Sequence, residues 1–299
     1  MLQNRIERLE KKHKQQSEQE FLGKFEKVIS IIEPLPPNYI HGQNRTEMDR
    51  FWQKFLKTHP QATRDKKIRI NDLEFDSNNL KIHLSEGIDF SDIAYTNENY
   101  TLKGIPESPT ETYQKISNNE WHTRELFANA ASVGAIVTFN PDKPINLLGI
   151  RSKKTFGSPG TVSLPINGYV DPLPKSDNLL IDNLFKEAAE ETQLVLPEEI
   201  SNISFIGPAQ MRGKSCDLIW RITPTISYEE WLKRWKKFTP NNEFSGFITC
   251  KEHEMARLLS GQIDSSQLQI IGNDNLKEVI KQRGVKINPL IIALSDYIS

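Results

Sequence analysis

The chain has 299 residues, of which 26% are charged and 37% hydrophobic, with a formal net charge of −1. That length buries a substantial core, as one large domain or two small ones, and the near-zero charge argues against nucleic acid or an anionic membrane as partner. Two cysteines, Cys216 and Cys250, are too few for a metal-ligand set, and no signal-peptide core or apolar span is present, so a soluble, cytoplasmic protein with buried thiols is expected.

Residues 1–32 read as a helix, with Leu2, Ile6, Leu9, Leu22, Phe25, Val28, Ile31 and Ile32 at helical spacing around a polar stretch, Lys11–Glu20. Such a helix either docks on the body or serves as a handle for a homodimer. Pro34-Leu-Pro-Pro ends it and closes an N-terminal extension, 1–37. A smaller α+β segment, 38–125, follows. Its helix, Thr46–Thr58, carries Met48, Phe51, Trp52, Phe55 and Leu56 on one side, with Thr46 as N-cap. Ile68–Ile70, Leu73–Phe75 and Leu80–Leu84 alternate as strands. Phe90–Asn97 reads as irregular, Gly104–Asn118 as loop, and Trp121–Ala130 as a helix leading into the last segment, 126–299.

That segment opens with strands at Ala135–Phe139, Leu147–Ser152 and Thr161–Ile166, then the turn-like Asn167-Gly168-Tyr169-Val170-Asp171-Pro172. Strands at Ile203–Gly207 and Cys216–Ile222 follow an acidic helix. Tyr228–Phe238 is a helix with Tyr228, Trp231, Leu232 and Trp235 toward a sheet and a solvated basic side. After a loop at Asn241–Gly246 come a strand at Phe247–Thr249, a helix at His253–Leu259, and an apolar helix from Pro289. The six scattered histidines show no metal-ligand spacing.

The acidic helix bears the chemistry. In Lys186-Glu-Ala-Ala-Glu-Glu-Thr-Gln-Leu194, Glu187, Glu190 and Glu191 stand at i, i+3 and i+4 and share one helical face. Like charges so placed repel, so the face is either solvated or a site for a hard divalent cation, Mg²⁺ or Mn²⁺.

The order strand, strand ending in Arg151-Ser152, strand, Gly168, acidic helix resembles the Nudix hydrolases. Glu187, Ala188, Glu190, Glu191 and Leu194 match the second half of that family's box. Lys186 stands where the box has Arg, Gln193 where it has Gly, and the upstream Glu falls on Asn178, with Asp182 as a displaced substitute. The front half, Asp89-Phe-Ser-Asp with Thr96-Asn97, and Asn242-Glu-Phe-Ser-Gly246 are similar to the UDP-sugar diphosphatase branch.

The resemblance implies an α/β/α sandwich, a Nudix fold with a mixed sheet between helices plus the smaller N-terminal domain. It implies a Mg²⁺-dependent pyrophosphohydrolase that cleaves a nucleotide sugar such as UDP-glucose to a nucleoside monophosphate and a sugar 1-phosphate. Glu187, Glu190 and Glu191 would hold the metal, and Glu243 would be a further ligand or general base. Arg151, Gly168, Thr96, Asn97 and Arg212 would meet a small nucleotide substrate. ADP-ribose, a dinucleoside polyphosphate or an RNA cap are the alternative substrates. A nucleotide-sugar-binding protein without turnover is the alternative from outside the enzymes.

Overall fold

The computed structural model describes residues 27–36, 39, 45–76, 79–99, 108–118, 128–140, 142–153, 155, 159–211, 215–237, 243–251, 254, 257–258, 268–272, 276–278, 280 and 286–294. Every described strand joins one branched, mixed sheet whose longest path runs β1-β3-β2-β4-β5-β10-β11. The strands are β1 (Lys27–Ile32), β2 (Lys66–Asp76), β3 (Asn79–Asp89), β4 (Ala130–Phe139), β5 (Ile145–Arg151), β6 (Thr161–Ser163), β7 (Ile166–Tyr169), β8 (Ile200–Met211), β9 (Ser215–Pro224), β10 (Phe244–Lys251), β11 (Gln269–Gly272) and β12 (Lys286–Ile287). The helices are α1 (Arg45–Thr58), α2 (Phe90–Asn99), α3 (Pro109–Ser117), α4 (Leu179–Thr192), α5 (Tyr228–Trp235) and α6 (Pro289–Ala293).

β4 is the hub because its ten residues, AASVGAIVTF, are all buried. Small residues in its first half admit β7 on one edge and β9, in parallel, on the other. Its end pairs with β5, and its first residue pairs with Arg69 of β2, so one sheet crosses from the front segment into the rear one. The pleat sends alternate residues to opposite faces. Val133, Ala135 and Val137 pack with Leu184 and Ala188 of α4 and Trp231 of α5. Ile136 instead joins Ile219, Leu148 and Ile291 of α6. The sheet therefore lies between helices, as an α+β sandwich.

Trp231 is 0% exposed, and its indole Nε1–H donates to Thr192 O at 2.8 Å. The Trp231/Trp235 stripe is thus core, as its spacing indicates. On the basic side of α5, Lys233, Lys236 and Lys237 are exposed as expected, while Arg234 forks onto Glu199 at 2.8 and 2.7 Å. Cys216 and Cys250 are free and buried.

Several expectations are overturned. Residues 27–32 are a strand rather than the end of a helix, because β-branched Val28, Ile29, Ile31 and Ile32 pair in parallel with β3; residues 1–26 lie outside the described residues. Thr46 sits inside α1, which starts at Arg45. Phe90–Asn97 is helical. Asp89 caps it, accepting from Ser91 N at 2.7 Å while its own N–H donates to Asp92 at 2.7 Å. Most of the supposed loop at 104–118 is α3, opened by Ser108, Pro109 and Glu111 in a capping box; residues 104–107 lie outside the described residues, as do 121–127 of the helix expected before β4. Ala130, the last residue of that span, begins β4. Gly168 lies within β7 rather than in a turn, and Phe244–Gly246 in β10 rather than a loop. The helix expected at His253–Leu259 falls mostly outside the described residues.

Two stability effects follow from local geometry. Gln193 ends α4 at φ 61° and ψ 21°, the left-handed region that glycine enters without a Cβ penalty. Gln193→Gly is expected to raise stability by about 0.5–1 kcal/mol, read as a denaturation midpoint. The gain is net of the exposed Gln193 Nε2 bond to Ala189 O at 2.9 Å.

His83 on β3 sits with Nδ1 2.6 Å from Glu33 and Nε2 3.5 Å from Glu74. Burial by itself would lower its pKa, but the two carboxylates outweigh it and hold the pKa above the usual value. A raised folded-state value stabilises fully below the unfolded value and is lost as pH rises through the folded one. Stability should therefore decline above about pH 6.5, and His83→Gln should flatten that decline in pH-resolved thermal melts.

Candidate active site

The acidic helix forms where the sequence places it. Asn178 caps α4 by accepting from Ile181 N at 3.4 Å, and Asn183 ties the helix to the segment that follows β7. Its Oδ1 accepts from Asp171 N at 2.9 Å, and its Nδ2 donates to Asp171 O at 3.0 Å. Lys186 Nζ reaches Asp171 at 2.6 Å, and Lys67 of β2 binds the same carboxylate. Lys186 is thus committed chiefly to Asp171 and stands 4.0 Å from Glu187.

This lock brings Glu187 and Glu191 against β7. Glu191 is 1% exposed; its Oε2 accepts from Asn167 N at 2.7 Å, while its buried Oε1 has no hydrogen-bond donor. Glu187 lies beside Gly168, where a Cβ would stand 2.2 Å from the Glu187 carboxyl carbon. No side chain but hydrogen leaves room there for the carboxylate. Glu190 is exposed.

The loop before β10 supplies Glu243, which is exposed and whose carbonyl accepts from Ser152 N at 2.7 Å. Arg151, at the end of β5, has its guanidinium 3.8 Å from the Glu243 carboxylate and 5.8 Å above the Phe244 ring. Burial pushes the Glu187 carboxyl up to about 7, with Glu190, Glu243 and Asp171 adding to the effect and Lys186 opposing it. Burial also raises Glu191 well above the carboxylate range, helped by Glu187 and Glu243.

Such crowded acids need protons or a cation to offset their repulsion. Among the described residues, no three His, Cys, Asp or Glu side chains are already drawn together tightly enough to hold a metal ion. The buried Glu191 oxygen without a donor and the cradle at Gly168 nevertheless present hard oxygen donors of the kind Mg²⁺ takes.

Of the other residues singled out from sequence, Asn97 hydrogen-bonds the Tyr169 side chain, one residue beyond Gly168. Thr96 does not reach the site. It is buried, and its hydroxyl oxygen accepts from Ala128 N at 3.2 Å, pinning α2 to the start of β4. Asp182 is exposed and takes the Ser176 hydroxyl at 2.6 Å, so it does not replace the missing upstream Glu. Arg212 lies outside the described residues. Sequence reading missed Tyr169 on β7 and Asp217 on β9, which flank Ser132 of β4 from either side. Neither has a local pattern, since strand pairing alone joins them.

No protein-family model matches this sequence, and no curated protein does. Among solved structures, DR0079 from Deinococcus radiodurans is 16% identical over 51% of this chain and 82% of its own, with a TM-score of 0.32. An Ap4A hydrolase from C. elegans, solved as a binary complex, is 15% identical over 44% of this chain and 86% of its own, at 0.28. RenU, a Nudix hydrolase from M. smegmatis, is 13% identical over 61% of this chain and 92% of its own, at 0.29. Among the described residues, no helix is long and apolar enough to cross a membrane.

Proposed function

We propose that the chain is a Nudix-type hydrolase that cleaves the diphosphate of a nucleotide sugar, such as UDP-glucose, with Mg²⁺ as cofactor. One observation carries this reading: a buried carboxylate with an oxygen lacking any donor, Glu191, stands beside a second carboxylate, Glu187, that fits only because residue 168 is glycine. A core acid without a ligand would cost stability for no return.

In this reading Glu187, Glu190 and Glu191 would hold the cation. The bound cation would neutralise the diphosphate and lower the pKa of water. Arg151 grips phosphate oxygens with its guanidinium fork. Glu243 accepts the proton of the attacking water as the bridging P–O bond breaks, releasing a nucleoside monophosphate and a sugar 1-phosphate. Most of the acceleration is positioning and charge stabilisation.

The test is a phosphate-release panel of UDP-glucose, ADP-ribose, a dinucleoside polyphosphate and capped RNA, each with Mg²⁺ and with Mn²⁺. Metal-dependent turnover of the sugar nucleotide is expected to exceed the rest. Turnover of another derivative alone would reassign the substrate, and no turnover at all would sink the hydrolase reading. A second reading, nucleotide-sugar binding without hydrolysis, draws on the commitment of Lys186 to Asp171. Calorimetric binding of UDP-glucose without turnover would establish it.

A further inference from the structure

A row of polar groups crosses the sheet on the face opposite α4. Strand register sets Ser132 of β4 beside Asp217 of β9 on one edge and Tyr169 of β7 on the other. In the next row of the same face Gly134 leaves space for Asn167, whose amide nitrogen would stand 3.1 Å from a Cβ there. That amide leans to Asp217 Oδ1 at 3.4 Å, and the Ser132 hydroxyl bonds the same carboxylate.

From the front segment, Asn97 of α2 hydrogen-bonds Tyr169, and Arg151 and Asp217 both lie close enough to Tyr169 to act on it electrostatically. Further along the same face the sheet turns apolar, at Ile136 and Ile219, beneath α6. Buried polar groups cost stability unless hydrogen-bonded, and these hold one another in place. Here the row starts next to Arg151 and runs away from it.

The chemistry of the row is selective. Asn97, Tyr169 and Ser132 offer both donors and acceptors, and Asp217 accepts while repelling phosphate. A vicinal diol, which donates and accepts at each hydroxyl, satisfies such a set. A terminal phosphate does not.

We infer that Asn97, Tyr169, Ser132 and Asp217 form a subsite for the neutral, polyhydroxylated glycosyl end of the substrate, with Arg151 marking where the diphosphate begins. The inference rests on the hydrolase reading above and adds to it the wall that selects a sugar over a second phosphate chain. It also gives the front segment a direct part in recognition, through Asn97.

The test compares each nucleoside diphosphate glucose with the matching nucleoside diphosphate methyl ester, which keeps base and diphosphate and lacks the sugar hydroxyls. Uridine, adenosine and guanosine pairs are run with the full chain and with Asp217→Asn, Tyr169→Phe and Asn97→Ala, folding being checked by thermal melts. Wild type is expected to favour the glucose compound in kcat/KM, and folded variants to reduce that preference by about tenfold, the loss of one well-placed hydrogen bond. Equal loss on both members of a pair would show a merely structural role and overturn the inference. So would an undiminished preference in the folded variants, or a wild type without one. If wild type hydrolyses none of the compounds, the hydrolase reading fails by itself. The pairs are then compared by equilibrium binding, where the subsite stands only if glucose compounds bind more tightly and folded Asp217→Asn narrows the gap.

Discussion

Glu191→Gln is expected to reduce metal-dependent turnover by about 10³-fold while the protein stays folded. The amide oxygen keeps the bond from Asn167 N, and the amide NH₂ takes the position of the Oε1 atom that now has no donor. Loss of activity is thereby separated from loss of structure.

The same variant has a thermodynamic signature. Glu187 and Glu191 both have folded-state pKa values raised by burial, Glu187 to about 7. Their stabilisation is complete below the unfolded value, near pH 4.5, and is lost as pH rises through the folded values. Metal-free wild type should therefore melt progressively lower from about pH 5 to pH 8. Mg²⁺ should reverse that loss in wild type and do so far less in Glu191→Gln. A wild-type melt indifferent to both pH and Mg²⁺ would remove the carboxylate pair from the proposed metal site.

Gly168→Ala is expected to lower turnover by about 10²-fold, because a new methyl must displace a positioned carboxylate by about 1 Å. The added Cβ would stand 2.2 Å from Glu187 Cδ and 2.4 and 2.5 Å from its two oxygens. Gly168 is not among the positive-φ glycines, so backbone strain plays no part. Gly160 supplies the contrast. Its φ is +69°, and its Cβ would meet nothing nearer than Lys153 Cγ at 3.9 Å. Gly160→Ala should cost about 1 kcal/mol of stability and leave turnover intact. Equal activity losses in the two variants would refute the collision argument.

The acidic helix was legible because its evidence is local: period, apolar partners and three carboxylates within five positions, 187–191. The α2 and α3 helices were equally local but are announced by caps rather than stripes. Asp89 with Asp92, and Ser108-Pro109 with Glu111, carry them, and a search for apolar period passes over both. β1 misled for the opposite reason. Val28, Ile31 and Ile32 satisfy helical spacing, and only pairing with β3 makes the segment a strand. Thr96 and Asn97 are neighbours in sequence with different fates, one pinning Ala128 and the other reaching Tyr169.

Sequence by itself determined the elements whose signals lie within one or two turns of chain, and with them the shared helical face of Glu187 and Glu191. Tertiary structure decided what those groups face. It set Gly168 under Glu187, left Glu191 with one oxygen lacking a donor, turned Lys186 and Lys67 onto Asp171, and aligned Asp217, Ser132 and Tyr169 across three strands. Helical period fixes neighbours three or four residues apart. Strand register joins residues 132, 169 and 217, a relation no local pattern encodes.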